Sequence, residues 1–101
     1  MAKDKILTLL GFCKKAGKLI AGTEKVTELI KKGGPCLVML SQDISPKTEK
    51  ELKYHASGTN AVFIRLQFDR ETVAHATKTT AGVLATADEG FSKAISQGGN
   101  D

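Results

Sequence analysis

The sequence predicts a three-layer α/β/α sandwich, built on a four-stranded mixed sheet with about five helices. Three observations carry that expectation. Segments with helical spacing of apolar residues alternate with short apolar runs along the whole chain. The joints between them are brief and rich in Gly, Pro, Ser, Asn and Asp, which keeps neighbouring elements close in space. The 101 residues, 41% apolar and 26% charged, have the size and balance of one globular domain over residues 1–101.

Taken in order, Ile6, Leu9, Leu10 and Cys13 recur at i, i+3, i+4, i+7 and define the first helix, which Gly17 stops. Leu19–Ala21 reads as a short strand, followed directly by a helix from Thr23 to Lys32 with Val26, Leu29 and Ile30 inward. Gly33, Gly34 and Pro35 break that helix. The unbroken apolar run Cys36–Leu40 predicts a strand covered on both faces. Ser45 then Pro46 is an N-cap with proline at the first helical position, opening a helix to Ala56. Gly58, Thr59 and Asn60 turn the chain into Ala61–Ile64, a second strand expected to be buried on both faces. Asp69 caps a short helix carrying Val73 and Ala76, and Gly82–Thr86 is the last strand. Thr86 to Glu89 has the form of a capping box for a final helix with Phe91, Ala94 and Ile95 inward. The end from Gln97 to Asp101 is expected to fray, and Gly90 to mark close packing of the last helix on the sheet.

Much chemistry is missing. There is no phosphate-loop motif, no dinucleotide fingerprint and no H-E-x-x-H. Cys13 and Cys36 form no C-x-x-C, and His55 and His75 have no ligand spacing to them, so no metal site is expected. Both cysteines read as core residues of a reducing compartment. No apolar run is long enough for a membrane span, and the opening Met-Ala-Lys-Asp-Lys lacks the apolar region of a signal peptide. The expectation is a cytoplasmic, non-catalytic protein with no cofactor.

Charge supplies the positive signal. Residues 1–35 hold eight lysines against three acidic residues, a net +5, while residues 36–101 net −1. A basic half facing a neutral half suits a polyanion approached from one side. Within the basic half, Gly22, Thr23, Glu24 and Lys25 lie at a strand-to-helix junction. The unpaired N–H groups and partial positive charge of a helix start suit a phosphate or a polar base edge. Lys14, Lys15 and Lys18 lie just upstream, positioned to track phosphates.

The segment Leu10-Gly-Phe-Cys-Lys-Lys-Ala-Gly-Lys-Leu-Ile-Ala-Gly22, the Gly-Thr-x-x-Val-Thr helix start and the terminal Ala85-Thr-Ala-Asp-Glu-Gly-Phe91 occur in an order that resembles the kink-turn-binding ribosomal protein family. That family includes the archaeal "seven-Ae" and eukaryotic "thirty-e" proteins, and the closest resemblance is to its bacterial YlxQ-like branch. It implies an α/β/α sandwich without catalysis that grips the sheared G·A pairs of a kinked RNA through the start of the helix after the first strand. A loop before the last strand would cover the extruded nucleotide. Gly22, Thr23, Val26 and Thr27 match the family's helix start, whereas Glu24, Lys25 and Glu28 stand where the archaeal pattern has Asn, Glu and Lys. The resemblance also marks the segment from Arg65 to Lys78 as a second contact. There Leu66 and Phe68 are expected to offer a surface to an extruded base, with Gln67 between them and Arg65 and Lys78 near the backbone. Lys78 falls where the family has Gly. The implied partner is RNA, ribosomal and kink-turn-like. The alternative is a protein-interaction adaptor that uses the altered Glu24–Glu28 helix face.

Overall fold

Among residues 2–98, which the computed structural model describes, the elements follow the predicted order. They are α1 (Ala2–Lys15), β1 (Ile20–Ala21), α2 (Thr23–Lys31), β2 (Cys36–Leu40), α3 (Pro46–Ala56), β3 (Ala61–Arg65), α4 (Arg70–Thr77), β4 (Val83–Thr86) and α5 (Glu89–Gly98). The strands form one mixed sheet in the order β1-β4-β2-β3. β4 runs antiparallel to both β1 and β2, and β3 pairs parallel to β2 from Cys36–Ala61 to Leu40–Arg65.

The strand period of two sorts the apolar residues into two cores. Leu37, Met39 and Leu84 face one side, where they meet Ile6 and Leu10 of α1, Val73 of α4 and Ile95 of α5. Cys36, Val38, Leu40, Val83 and Ala85 face the other, against Val26 and Ile30 of α2 and Leu52 of α3. β2 lies between β4 and β3 and is covered on both faces, the physical origin of its uninterrupted apolar run. Cys13 and Cys36 are both free and buried, as core residues.

Three local expectations are corrected. β3 is not buried on both faces: it is an edge strand, and Val62 is 58% exposed. A strand bonded on one side, with its helix-facing residues covered by α3, leaves the remaining face short of partners. The last helix is capped by Asp88 rather than Thr86: the Asp88 carboxylate accepts from the Phe91 N–H at 2.9 Å, while the Thr86 hydroxyl accepts from the Asp88 N–H at 3.1 Å. Gly90 is exposed, so it does not mark close packing on the sheet. α5 continues through Gln97 to Gly98, and the rest of the expected frayed end, residues 99–101, lies outside the described residues.

The two internal caps form as expected. Ser45 accepts from the Thr48 N–H at 3.2 Å with Pro46 at the first turn, and Asp69 accepts from the Thr72 N–H at 2.8 Å. Hydrogen bonding by Thr72, through its side chain and then its backbone amide, holds the Asp69 carboxyl below its usual pKa. Stabilisation from a lowered carboxylate is present above the unfolded pKa of about 3.9 and fades as pH falls through the folded value. Asp69→Asn keeps a capping acceptor without the charge, so its urea midpoint should depend less on pH across the acid limb than that of the parent protein.

Candidate nucleic-acid interface

Because β1, β2 and β3 run in one direction and β4 runs against them, their carboxyl ends and the start of β4 share one edge of the sheet. α2, α3 and α4 each begin there, directly after β1, β2 and β3. Carboxyl-end edges of this kind are where open α/β sheets hold their ligands. At this edge the Ser41 N–H donates to the Gly82 carbonyl at 2.9 Å, the Gln42 N–H to that of Phe68 at 2.6 Å, and the Leu66 N–H to that of Leu40 at 2.7 Å. These bonds draw the loops after β2 and β3 and the loop before β4 into one surface.

Gly22 is the N-cap of α2, and no side chain caps the helix there. Its φ of 106° and ψ of 142° suit glycine, because a Cβ would clash with the backbone at positive φ. The Gly22 N–H donates to the Val83 carbonyl at 3.0 Å, which seats the helix start beside the first residue of β4. Thr23, Glu24 and Lys25 are all exposed, so the first turn presents its backbone N–H groups beside one hydroxyl, one carboxylate and one ammonium group. The arrangement can accept anionic or carbonyl oxygens on the backbone and offer the Glu24 carboxylate to donors. Thr27 turns inward on the helix, its hydroxyl donating to the Thr23 carbonyl at 2.7 Å.

The second predicted contact is changed by packing. Leu66 and Phe68 are 3% and 9% exposed and belong to the α1–α4–α5 core, so they do not present a face to an extruded base. Alternation along the chain explains it: Leu66 and Phe68 share a parity, and the intervening Gln67 takes the exposed position. Arg65 is exposed but held, pairing with the Glu49 carboxylate and donating to the Gln42 carbonyl at 3.1 Å. Its guanidinium is therefore a brace between β3 and α3 rather than a free cation.

Lys14, Lys15 and Lys78 come together around a depression of about 400 Å3 between α1 and α4, and Lys18 is exposed just past the end of α1. This lysine group is displaced from the α2 start. It lies between α1 and α4, which pack on one face of the sheet, whereas α2 packs on the other, with Gly22 bonded to Val83 at the beginning of β4. Lys78 ends α4 in the left-handed region, with φ 58° and ψ 34°. A side chain there costs about 1 kcal/mol relative to Gly. Lys78→Gly is accordingly expected to raise the urea midpoint slightly, which equilibrium unfolding would register.

Two residues at this edge escape sequence reasoning. Gly82 opens the last strand so tightly that a Cβ would lie 2.8 Å from the Ser41 hydroxyl and 3.0 Å from the Arg70 Nε. Arg70 thus lays its guanidinium over Gly82, next to the residue that bonds Gly22, while its own N–H donates to the Asp43 carboxylate at 2.8 Å. Nothing local in the sequence distinguishes Arg70 from a solvated first-turn residue; its placement depends on the approach of the loop before β4.

Thiol chemistry finds poor ground here. Burial pushes the Cys13 thiol up, outweighing the opposing hydrogen bond from Thr86, and Asp88 raises it further. A thiol so held stays protonated and is a weak nucleophile. Among the described residues no group of three His, Cys, Asp or Glu is placed to hold a metal ion, and no helix is long and apolar enough to cross a membrane.

Comparison with solved structures places the architecture among small α/β/α proteins. A protein of unknown function from Bacillus halodurans superposes with a TM-score of 0.85 at 26% identity, over 96% of this chain and 98% of that one. The Giardia lamblia 15.5kD RNA binding protein superposes with a TM-score of 0.76 at 11% identity, over 98% and 85%. A comparison with curated protein sequences finds no significant match. The chain belongs to the ribosomal protein L7Ae/L30e/S12e/Gadd45 family, whose model matches residues 4–96.

Proposed function

We propose that this is a non-catalytic, cytoplasmic RNA-binding protein, associated with the ribosome, that recognises structured RNA of the kink-turn kind. The observation that carries the reading is the α2 start: its Gly22 cap leaves the first turn without a side-chain cap, and Thr23, Glu24 and Lys25 stand exposed around it. The family's ribosomal members and the RNA-binding Giardia protein of the same fold support RNA as the ligand class. In this reading Glu24 accepts from guanine N–H donors, while Gly22, Thr23 and Lys25 meet the backbone. Gln67 and Arg70 replace Leu66, Phe68 and Arg65 as the contacts offered by the neighbouring loop, and Lys14, Lys15, Lys18 and Lys78 supply longer-range attraction.

The test is binding to a kink-turn RNA and to a matched duplex whose G·A pairs are changed to Watson–Crick pairs, at two salt concentrations. Preference for the kinked RNA by about tenfold or more is expected, since specific contacts to splayed or sheared bases add to a backbone term shared by both. Glu24→Ala should shrink the preference. Equal, salt-sensitive binding to both RNAs would remove kink-turn specificity, and absence of binding to either would favour a protein partner for the Glu24–Glu28 face.

A further inference from the structure

The depression between α1 and α4 has the chemistry of a second site. Phe12 lies on its wall and is 56% exposed, one of only three large apolar side chains so open among the described residues. Lys14, Lys15 and Lys78 stand at the rim, and no ion pair engages them: the salt bridges among the described residues tie Glu49 to Lys53 and to Arg65, elsewhere. α1 passes α4 closely at Gly11, where a Cβ would lie 3.4 Å from the Ala76 carbonyl oxygen. The last carbonyls of α4 lack helical partners and end near Lys78.

An exposed aromatic ring and three ammonium groups with no ion pair among the described residues, gathered at one depression, match the base and the phosphates of a nucleotide. A base is planar and apolar on its faces and is linked through its ribose to phosphate. Stacking on an aromatic side chain contributes for any base, and lysines beside it track the backbone. A protein partner would have to bring an acidic, aromatic-binding segment; RNA supplies both features in every residue. The volume of about 400 Å3 accommodates a nucleotide rather than a duplex.

We propose that the α1–α4 depression binds an unpaired RNA nucleotide, with the base stacked on Phe12 and the adjoining phosphates on Lys14, Lys15 and Lys78. The site is separate from the α2 start, since α1 and α4 pack on one face of the sheet and α2 on the other. The inference rests on the reading of the protein as RNA-binding, and it adds single-stranded flanking RNA to the ligand.

The experiment uses the full chain and a single-stranded RNA of about six nucleotides, a length typical of one stacking platform, with the kink-turn duplex measured in parallel. Phe12→Ala is expected to weaken the single-strand affinity about tenfold with the salt dependence unchanged, because the ring carries no charge, and to leave duplex affinity within about twofold. Lys78→Gln should lower the salt slope of single-strand binding by about one phosphate. The chain has no Trp, so Phe12→Trp introduces a unique tryptophan whose emission should be quenched when a base stacks on it, and it should retain or raise affinity. Parent-like single-strand affinity in Phe12→Ala, an unquenched Phe12→Trp, or failure of the parent to bind the single strand would overturn the proposal. Single-strand binding that follows Phe12 while the kink-turn duplex is not preferred would instead remove the kink-turn reading and leave this site standing.

Discussion

Phe68→Ala is expected to lower the unfolding free energy by about 3–5 kcal/mol, the range for truncating a buried aromatic residue. The ring is 9% exposed and belongs to the core that Leu66, Met39 and Val73 of α4 share. Its removal opens a cavity that β2 and α4 can fill only by shifting, and both are fixed by other bonds. The Phe68 carbonyl takes the Gln42 N–H at 2.6 Å, and Asp69, next in sequence, caps α4. In a domain of this size each kcal/mol moves the melting temperature by about 4–8 °C, so a fall of more than about 10 °C is expected. Gln67→Ala, one residue away on the exposed side, should change stability by less than about 0.5 kcal/mol. Urea and thermal unfolding of the pair decide the matter. A stable Phe68→Ala variant with impaired RNA affinity would return the ring to the binding surface.

Reversing Lys14, Lys15 and Lys18 to Glu should leave the fold intact and reduce RNA affinity by about a hundredfold or more at low salt. All three are exposed, and no described ion pair depends on them. Each lysine that meets a phosphate releases a counterion on binding, so the slope of log K against log salt should fall by about one for every phosphate left without its lysine. The measurement is a salt titration of affinity for the parent and the triple variant, with circular dichroism as the control for folding. An undiminished slope would place the electrostatic attraction elsewhere, with Lys25 and Arg70 at the α2 edge the first alternatives.

Much of the architecture is legible because local signals agree with the global solution. Ser45 and Pro46, Asp69, and the apolar run Cys36–Leu40 each specify one conformation through interactions within a few residues, and each takes it. β3 defeats such reading because an apolar run cannot say whether the strand has neighbours on both sides; its place at the sheet edge follows from β4 inserting between β1 and β2. Thr86 and Asp88 both have capping chemistry, and only the path of the chain into α5 selects Asp88.

The candidate site divides in the same way. The α2 start is readable because Gly22 and Thr23 are a local device, a glycine that turns a strand into a helix. Leu66 and Phe68 are not, because an apolar residue near a loop serves equally as ligand surface or as core. Arg65 and Arg70 exchange roles for a reason no local pattern holds: Glu49 of α3 lies within reach of the first, whereas the loop before β4 passes beneath the second.

By itself, then, the sequence determined what short-range chemistry can determine: where helices and strands begin, which residues are apolar enough to be covered, and that positive charge collects in the first third of the chain. The tertiary structure alone decided which charges are already neutralised, which apolar side chains are left uncovered, and which distant segments share an edge. Those properties depend on pairs of residues far apart in sequence, such as Phe12 with Lys78 or Gly22 with Val83, and a pair has no distance until the chain has folded.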